Sequence, residues 1–243
     1  LERNHNVMKI LVIPDIHLKP NMFRRASELM RQKIADQAVC LMDIADDWDQ
    51  GLNISLYEET YDEAIRFAET YPQTLWCYGN HDLSYIWNQL ETGYSNTAAG
   101  AVQKKLFQLQ SALRDRSQIG YVQRIDNVMF SHGGVLQSFV EWYVPTSKRN
   151  DIDMVIETIN NLGVREMWND ASPIWLRPQY YNMKMYKPRK LLQVVGHTPV
   201  TEIMRNGNVI SCDVFSTYRN GKMIGTGEFL LLDTNTWEYQ GIS

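Results

Sequence analysis

Basic residues are in the minority in this 243-residue chain: 24 Lys and Arg stand against 28 Asp and Glu, a formal net charge of −4. A protein that grips nucleic acid generically carries a basic excess, so that class is disfavoured, although a local basic patch stays open. No stretch of 18 apolar residues occurs, so no transmembrane helix is expected. Cysteine is scarce: Cys40, Cys77 and Cys212 are widely spaced and form no CxxC pair. A disulfide framework and a paired-thiolate zinc site are thereby excluded, and three buried thiols in a reducing cytoplasm are the expectation. The polar start, Leu1 to Asn6, lacks the apolar segment of a signal peptide. Met8 is the first methionine, so residues 1–7 are expected to be a disordered leader or a leftover segment.

What is present is ordinary for a globular protein: 44% hydrophobic and 21% charged residues. Such a length buries a core without disulfides or a structural metal. Neither an internal repeat nor a low-complexity tract interrupts it. Residues 8–243 therefore read as a single domain with a mainly helical insertion at about 135–180.

Along the chain, Met8–Ile13 reads as a buried strand ending at Asp15-Ile-His17. Asn21 to Gln37 follows a helical pattern. Ala38 to Ile44 reads as a second strand, ending at Ala45-Asp46-Asp47-Trp48-Asp49. Helical sequence returns from Tyr57 to Thr70, and a third strand, Gln73 to Tyr78, ends at Gly79-Asn80-His81-Asp82. This alternation predicts an α/β fold, whose sites form at the carboxyl ends of strands. After a helical stretch to Gln118 come a hairpin (121–124 and 127–130) ending at His132, a helix near 152–160, a strand 191–195 ending at Gly196-His197, and two more strands near 208–214 and 228–233.

Four of the five histidines thus follow directly on predicted strands, in company with Asp and Asn. Mixed carboxylate, imidazole and amide donors suit borderline divalent cations such as Mn, Fe or Zn. The donors outnumber what one ion takes and suit two ions sharing a carboxylate. Two metals ~3.5–4 Å apart can clamp both oxygens of a displacement at phosphorus.

The ordered set Asp15-x-His17, Asp46-x-x-Asp49, Asn80-His81-Asp82, His132-Gly-Gly and Gly196-His197-Thr-Pro199 resembles the calcineurin-like metallophosphoesterases. The resemblance spans Asp15 to Pro199 and implies an α/β fold, a four-layer α/β/β/α sandwich with two mixed β-sheets. It further implies that Asp15 and His17 bind a first metal, that Asp46 bridges, and that Asn80, His132 and His197 complete a second site. His81 would protonate the leaving oxygen, with Asp49 fixing its tautomer. Two divalent cations, Mn first with Fe or Zn as alternatives, would be the cofactors. With Asp15, Asp46 and a bridging hydroxide the centre stays net positive, which suits a phosphate anion.

Departures from the pattern narrow the branch. Ala45 stands at the glycine of the second block, and Gln50-Gly51 stands where protein phosphatases carry Arg-Gly. Pro199 replaces a second histidine, as in the serine/threonine protein phosphatase and dinucleoside tetraphosphatase branch. Ser172-Pro-Ile-Trp-Leu-Arg-Pro178 resembles the segment in which that branch holds phosphate, making Arg177 the candidate. Tyr218 is a weaker candidate for the pocket wall; Trp48, beside the second block, could stack on a substrate ring but reads as partly buried packing. Asp47 is given no role and reads as solvated, and Lys184 to Lys190 reads as a solvated basic loop.

The function expected is hydrolysis of phosphate monoesters by in-line attack of a metal-bridging hydroxide on a phosphorylated protein, nucleotide or metabolite in the cytoplasm. Alternatives are a phosphodiesterase or nuclease acting on nucleic acid or cyclic nucleotides, a dinucleoside polyphosphate hydrolase, and a metal-free binding scaffold. No membrane partner is expected, and nucleic acid is the less favoured one.

Overall fold

The computed structural model describes residues 8–180 and 182–243. The expected leader, 1–7, lies outside the described residues. The first half runs β1 (Lys9–Ile13), α1 (Asn21–Arg31), β2 (Gln37–Cys40), α2 (Ile54–Thr70), β3 (Leu75–Cys77), α3 (Asn80–Trp87), α4 (Ala99–Ala112) and β4 (Ile119–Gly120). A second group follows: β5 (Val122–Ile125), β6 (Val128–Ser131), α5 (Gln137–Tyr143), α6 (Ile152–Asn160), α7 (Val164–Met167), β7 (Leu192–Val195), β8 (Met204–Asn206) and β9 (Val209–Ser211). Two last strands, β10 (Phe229–Asp233) and β11 (Tyr239–Ile242), return to the first sheet.

Six strands form one sheet in the order β11-β10-β1-β2-β3-β4, and five form the other in the order β5-β6-β7-β9-β8. Both are mixed. In the first, β1, β2, β3 and β4 run parallel while β10 is antiparallel to β1. In the second, β6, β7 and β9 run parallel between antiparallel edge strands. The unbroken apolar run of β1 reflects cover on both faces. Ile10 and Val12 pack with Phe130, Val194 and Ile210 between the sheets. Leu11 and Ile13 pack outward with Phe23 of α1 and with Tyr61 and Phe67 of α2. On the far side of the second sheet, Phe139 and Val140 of α5 join Val155 and Ile159 of α6 over Val195. Three apolar clusters therefore separate four layers, α/β/β/α.

Local chemistry sets the element ends. Asn53 caps α2 by accepting from the Leu56 amide, and Asp151 caps α6 by accepting from Asp153 and Met154. The helix expected to reach Gln37 stops at Arg31, and Lys33 turns the chain at φ +58°. The strand expected to run to Ile44 stops at Cys40, because Met42 and Asp43 take left-handed conformations at φ +55° and +43°. Strands β8 and β11 were not signalled by hydrophobic pattern; the residues of β8 are exposed and those of β11 are half-buried or exposed. The three cysteines are free and buried in the core, as expected.

Candidate metal centre and active site

Parallel pairing puts the carboxyl ends of β1, β2 and β3 side by side, and those of β6 and β7 next to each other in the facing sheet. The loop after β1 is zipped to the loop after β2: the His17 amide donates to the Asp43 carbonyl at 2.8 Å and the Leu18 amide to the Ile44 carbonyl at 3.0 Å. The second sheet is joined to the first where His132 Nδ1–H donates to the Leu41 carbonyl at 3.0 Å. The Gly196 amide, one residue before His197, donates to the His132 carbonyl at 2.9 Å. Asp15, His17, Asn80, His81, His132 and His197 are thereby brought together.

Asp43 lies at the centre of this group. Its Oδ2 is 3.0 Å from His132 Nε2 and 3.9 Å from His17 Nε2. Its Oδ1 accepts from the His81 amide at 3.0 Å. Asp15 divides its carboxylate in the same way: Oδ1 accepts from the His197 amide at 2.8 Å and Oδ2 has no hydrogen-bond partner. Two donor groups result, His17–Asp43–His81 and Asp43–His132–His197, with ligand atoms in each within 4.8 Å of one another.

The expected bridging residue was Asp46, and the geometry corrects this. The Asp46 carboxylate is already filled by hydrogen bonds from Tyr57 at 2.8 Å, Tyr85 at 2.5 Å and His81 Nδ1 at 2.9 Å. It holds His81, the role expected of Asp49. Asp49 is exposed instead and pairs with Arg219 at 2.9 Å. The second block is therefore Asp43-x-x-Asp46, three residues earlier than expected, with Met42 rather than Ala45 at its turn. Asp47, expected to be solvated, pairs with Lys19 at 3.3 Å.

Backbone strain concentrates here. His17, Leu18, Met42, Asp43, Asp46 and His197 all have φ between +42° and +62°, a region costly for residues with a Cβ and persisting where the surroundings enforce it. Glycine is required at two close approaches. A methyl group on Gly79 would overlap the Asp43 carboxylate, and one on Gly196 would overlap that of Asp15.

The donor atoms suit divalent cations. Asp15 Oδ2, Asn80 Oδ1 and His197 Nε2 are all buried without a hydrogen-bond partner, an arrangement that folded proteins otherwise avoid. Two histidines have their tautomers fixed for ligation: Nδ1 of His17 donates to the Asp46 carbonyl at 2.9 Å and Nδ1 of His132 to Leu41, leaving each Nε2 as the donor. Burial pushes the pKa of His17 and of His197 down, favouring the neutral form that ligates. For Asp43, burial is outweighed by the surrounding histidines, above all His132, and its carboxyl is held far below the usual range. His132 is raised to about 9, because Asp43 and Asp15 outweigh its burial. His81 is raised to about 10, burial being outweighed by Asp43 and by the Asp46 hydrogen bond. The buried carboxylates thus call for positive charge at this point.

A family model for calcineurin-like phosphoesterases matches residues 8–224. The chain belongs to that family. As a calcineurin-like phosphoesterase it is a hydrolase of phosphoric esters. Its fold is similar to that of a cold-active protein-tyrosine phosphatase from Shewanella, with a TM-score of 0.59, 18% identity, and 98% of this chain and 81% of that chain covered. It is also similar to a protein serine/threonine phosphatase from Saccharomyces cerevisiae, with a TM-score of 0.51, 15% identity, and 95% and 74% covered. At such identities the likeness concerns the fold alone. No curated protein matches the sequence. No helix among the described residues is long and apolar enough to cross a membrane.

Beyond the expected ligands, this phosphoesterase centre recruits Glu91, which no pattern singled out, and uses Asp82 of the third block. Glu91 accepts from Asn80 Nδ2 at 2.8 Å, which turns the Asn80 Oδ1 inward; burial raises the Glu91 carboxyl to about 7. Asp82 is buried and accepts from the Ile44 amide at 3.1 Å and Tyr61 at 2.8 Å, bracing the Asp43 turn. Arg177 is placed at the site, donating to the His197 carbonyl at 3.0 Å and to Thr198 Oγ1 at 3.2 Å. It opens with Asp43, Asn80, His81 and Glu91 onto a cavity of about 340 Å³. None of Lys184, Lys187, Arg189 and Lys190 lines this cavity. Trp76 is buried against Phe23 in the core.

Proposed function

We propose that this phosphoesterase hydrolyses phosphate monoesters with two divalent cations, Mn being the first candidate and Fe or Zn the alternatives. The observation that carries the proposal is the sharing of Asp43 by two histidine groups at the meeting point of five strand ends. Asp15, His17 and Asp43 would hold one cation; Asp43, Asn80, His132 and His197 would hold the other. When bound, such cations supply Lewis-acid charge and lower the pKa of coordinated water.

The chain's own residues do the rest. Arg177 has no carboxylate partner among the described residues, so its guanidinium is available to hold two phosphoryl oxygens. His81 protonates the departing oxygen through Nε2, while Asp46 keeps Nδ1 protonated and the ring oriented. Tyr57 and Tyr85 fix the Asp46 carboxylate in turn. Residues 8–243 are read as one domain.

The test is elemental analysis of purified protein together with turnover of a phosphomonoester before and after chelation. About two transition-metal ions per chain, inactivation by chelator and recovery with Mn are expected. Turnover indifferent to chelation would overturn the proposal. Faster hydrolysis of a diester than of a monoester at matched metal would transfer the assignment to the phosphodiesterase alternative.

A further inference from the structure

A second, larger cavity of about 550 Å³ adjoins the centre and shares His17, His81, Arg177 and His197 with the smaller one. Its volume falls in the range of small-molecule sites, roughly 300–1,000 Å³, and exceeds what a phosphoryl group needs. Beyond His81 it is walled by Trp48, Tyr94, Pro199, Tyr218 and Ile224.

Two of these aromatic rings are open, and the Trp48 ring is held in place by its own side chain. Trp48 is 49% exposed, yet its Nε1–H donates to the Thr217 carbonyl at 2.8 Å. The indole is thereby fixed with its polar atom used and its surface free. Tyr218 is 53% exposed on a tight turn, where its amide donates to the Lys222 carbonyl and its carbonyl accepts from Gly221. The Thr217 carbonyl joins the two walls, across 169 residues of sequence. Tyr94 lies stacked on Tyr85 at 4.4 Å, and Tyr85 is bonded to Asp46.

The charges on this wall cancel. Asp47 is paired with Lys19, Asp49 with Arg219 and Asp46 with His81. Among the described residues lining the cavity, Arg177 is the one cation without a carboxylate partner, and it serves a single phosphoryl group. Rigid aromatic surface without net charge is what recognises a neutral planar ring.

We infer that the cavity beside His81 binds the leaving group and selects phosphomonoesters whose alcohol carries a planar aromatic ring, a nucleobase or an aryl group, packed against Trp48 and Tyr218. This deepens the phosphomonoesterase reading and rests on it.

The experiment compares substrates with like leaving oxygens, so that intrinsic reactivity cancels: adenosine 5′-monophosphate against ribose 5-phosphate, and 2-phenylethyl phosphate against n-butyl phosphate. The ringed member of a pair should be favoured by about tenfold in kcat/KM, chiefly through KM, as expected for one stacked ring. Trp48→Ala should bring that ratio close to one, and Trp48→Phe should keep most of it. Preference in the first pair alone identifies a nucleobase; preference in the second identifies an aryl group. Equal turnover of ringed and ring-free substrates by the wild type overturns the inference and leaves the phosphomonoesterase reading intact, as does a ratio that survives Trp48→Ala. Should no monoester turn over, calorimetric titration with adenosine, 2-phenylethanol and ribose decides it separately. Ring binding lost in Trp48→Ala upholds the subsite, and absence of ring binding removes it.

Discussion

Replacing Asp46 by Asn tests the corrected assignment at its most specific point. The change is isosteric, and Asp46 receives three hydrogen bonds. An amide can still accept from Tyr57 and Tyr85 through Oδ1, but it then turns its NH₂ toward His81 Nδ1. The imidazole must accept there, carry its proton on Nε2 as a neutral ring, and lose its acidity toward the leaving oxygen. A general acid contributes about 10²- to 10⁴-fold, so kcat on an alkyl phosphate should fall by that factor. An activated aryl phosphate, whose oxygen departs without a proton, should lose about tenfold or less by the same reasoning. Loss of the charge-assisted bond should also lower stability by roughly 1.5–3 kcal/mol, read from denaturant unfolding. Asp49→Asn removes only an exposed pair with Arg219 and should change kcat on the alkyl ester by less than about threefold. Full activity of Asp46→Asn on the alkyl ester, or an equal loss in Asp49→Asn, would refute the reasoning.

Two further predictions concern the centre itself. Asp43→Asn should leave the far-ultraviolet circular dichroism unchanged while bound metal falls to one ion per chain or fewer, because both donor groups depend on this one carboxylate. Gly79→Ala should lose metal and lower stability by about 1–3 kcal/mol, since its methyl overlaps the Asp43 carboxylate. Gly100→Ala, in α4 with open space around the added methyl, should instead raise stability by roughly 0.5–1 kcal/mol; thermal melts of the two variants separate the effects.

The sequence was most legible where strands end. Apolar runs covered on both faces are continuous in sequence, so β1, β3, β6 and β7 and the polar residues at their tips could be placed from local pattern. That brought Asp15, His17, Asn80, His81, His132 and His197 into view together. It failed at β2, for a local physical reason. Cys40 is followed by Leu41-Met42, which look like more strand, but Met42 takes a left-handed conformation normally left to glycine and carries the chain into the site at Asp43. With no glycine to mark the turn, local pattern does not separate Asp43-x-x-Asp46 from the second Asp-x-x-Asp three residues on. An Asp-x-x-Asp spacing at 43–46 was present in the sequence, but only its neighbours could choose between the two.

Those neighbours come from far along the chain. Tyr85 reaches Asp46 across 39 residues, His132 reaches Leu41 across 91 and the His197 amide reaches Asp15 across 182. Whether a carboxylate is a free donor or a filled one depends on such partners, which no local pattern encodes. Residue types and their order along the chain determined that five strand ends would carry oxygen and nitrogen donors. Tertiary packing decided which aspartate stands between them, which holds the acid His81, and that Trp48 faces an open cavity while Trp76 is sealed in the core, because burial and hydrogen-bond competition exist only once the two sheets are stacked.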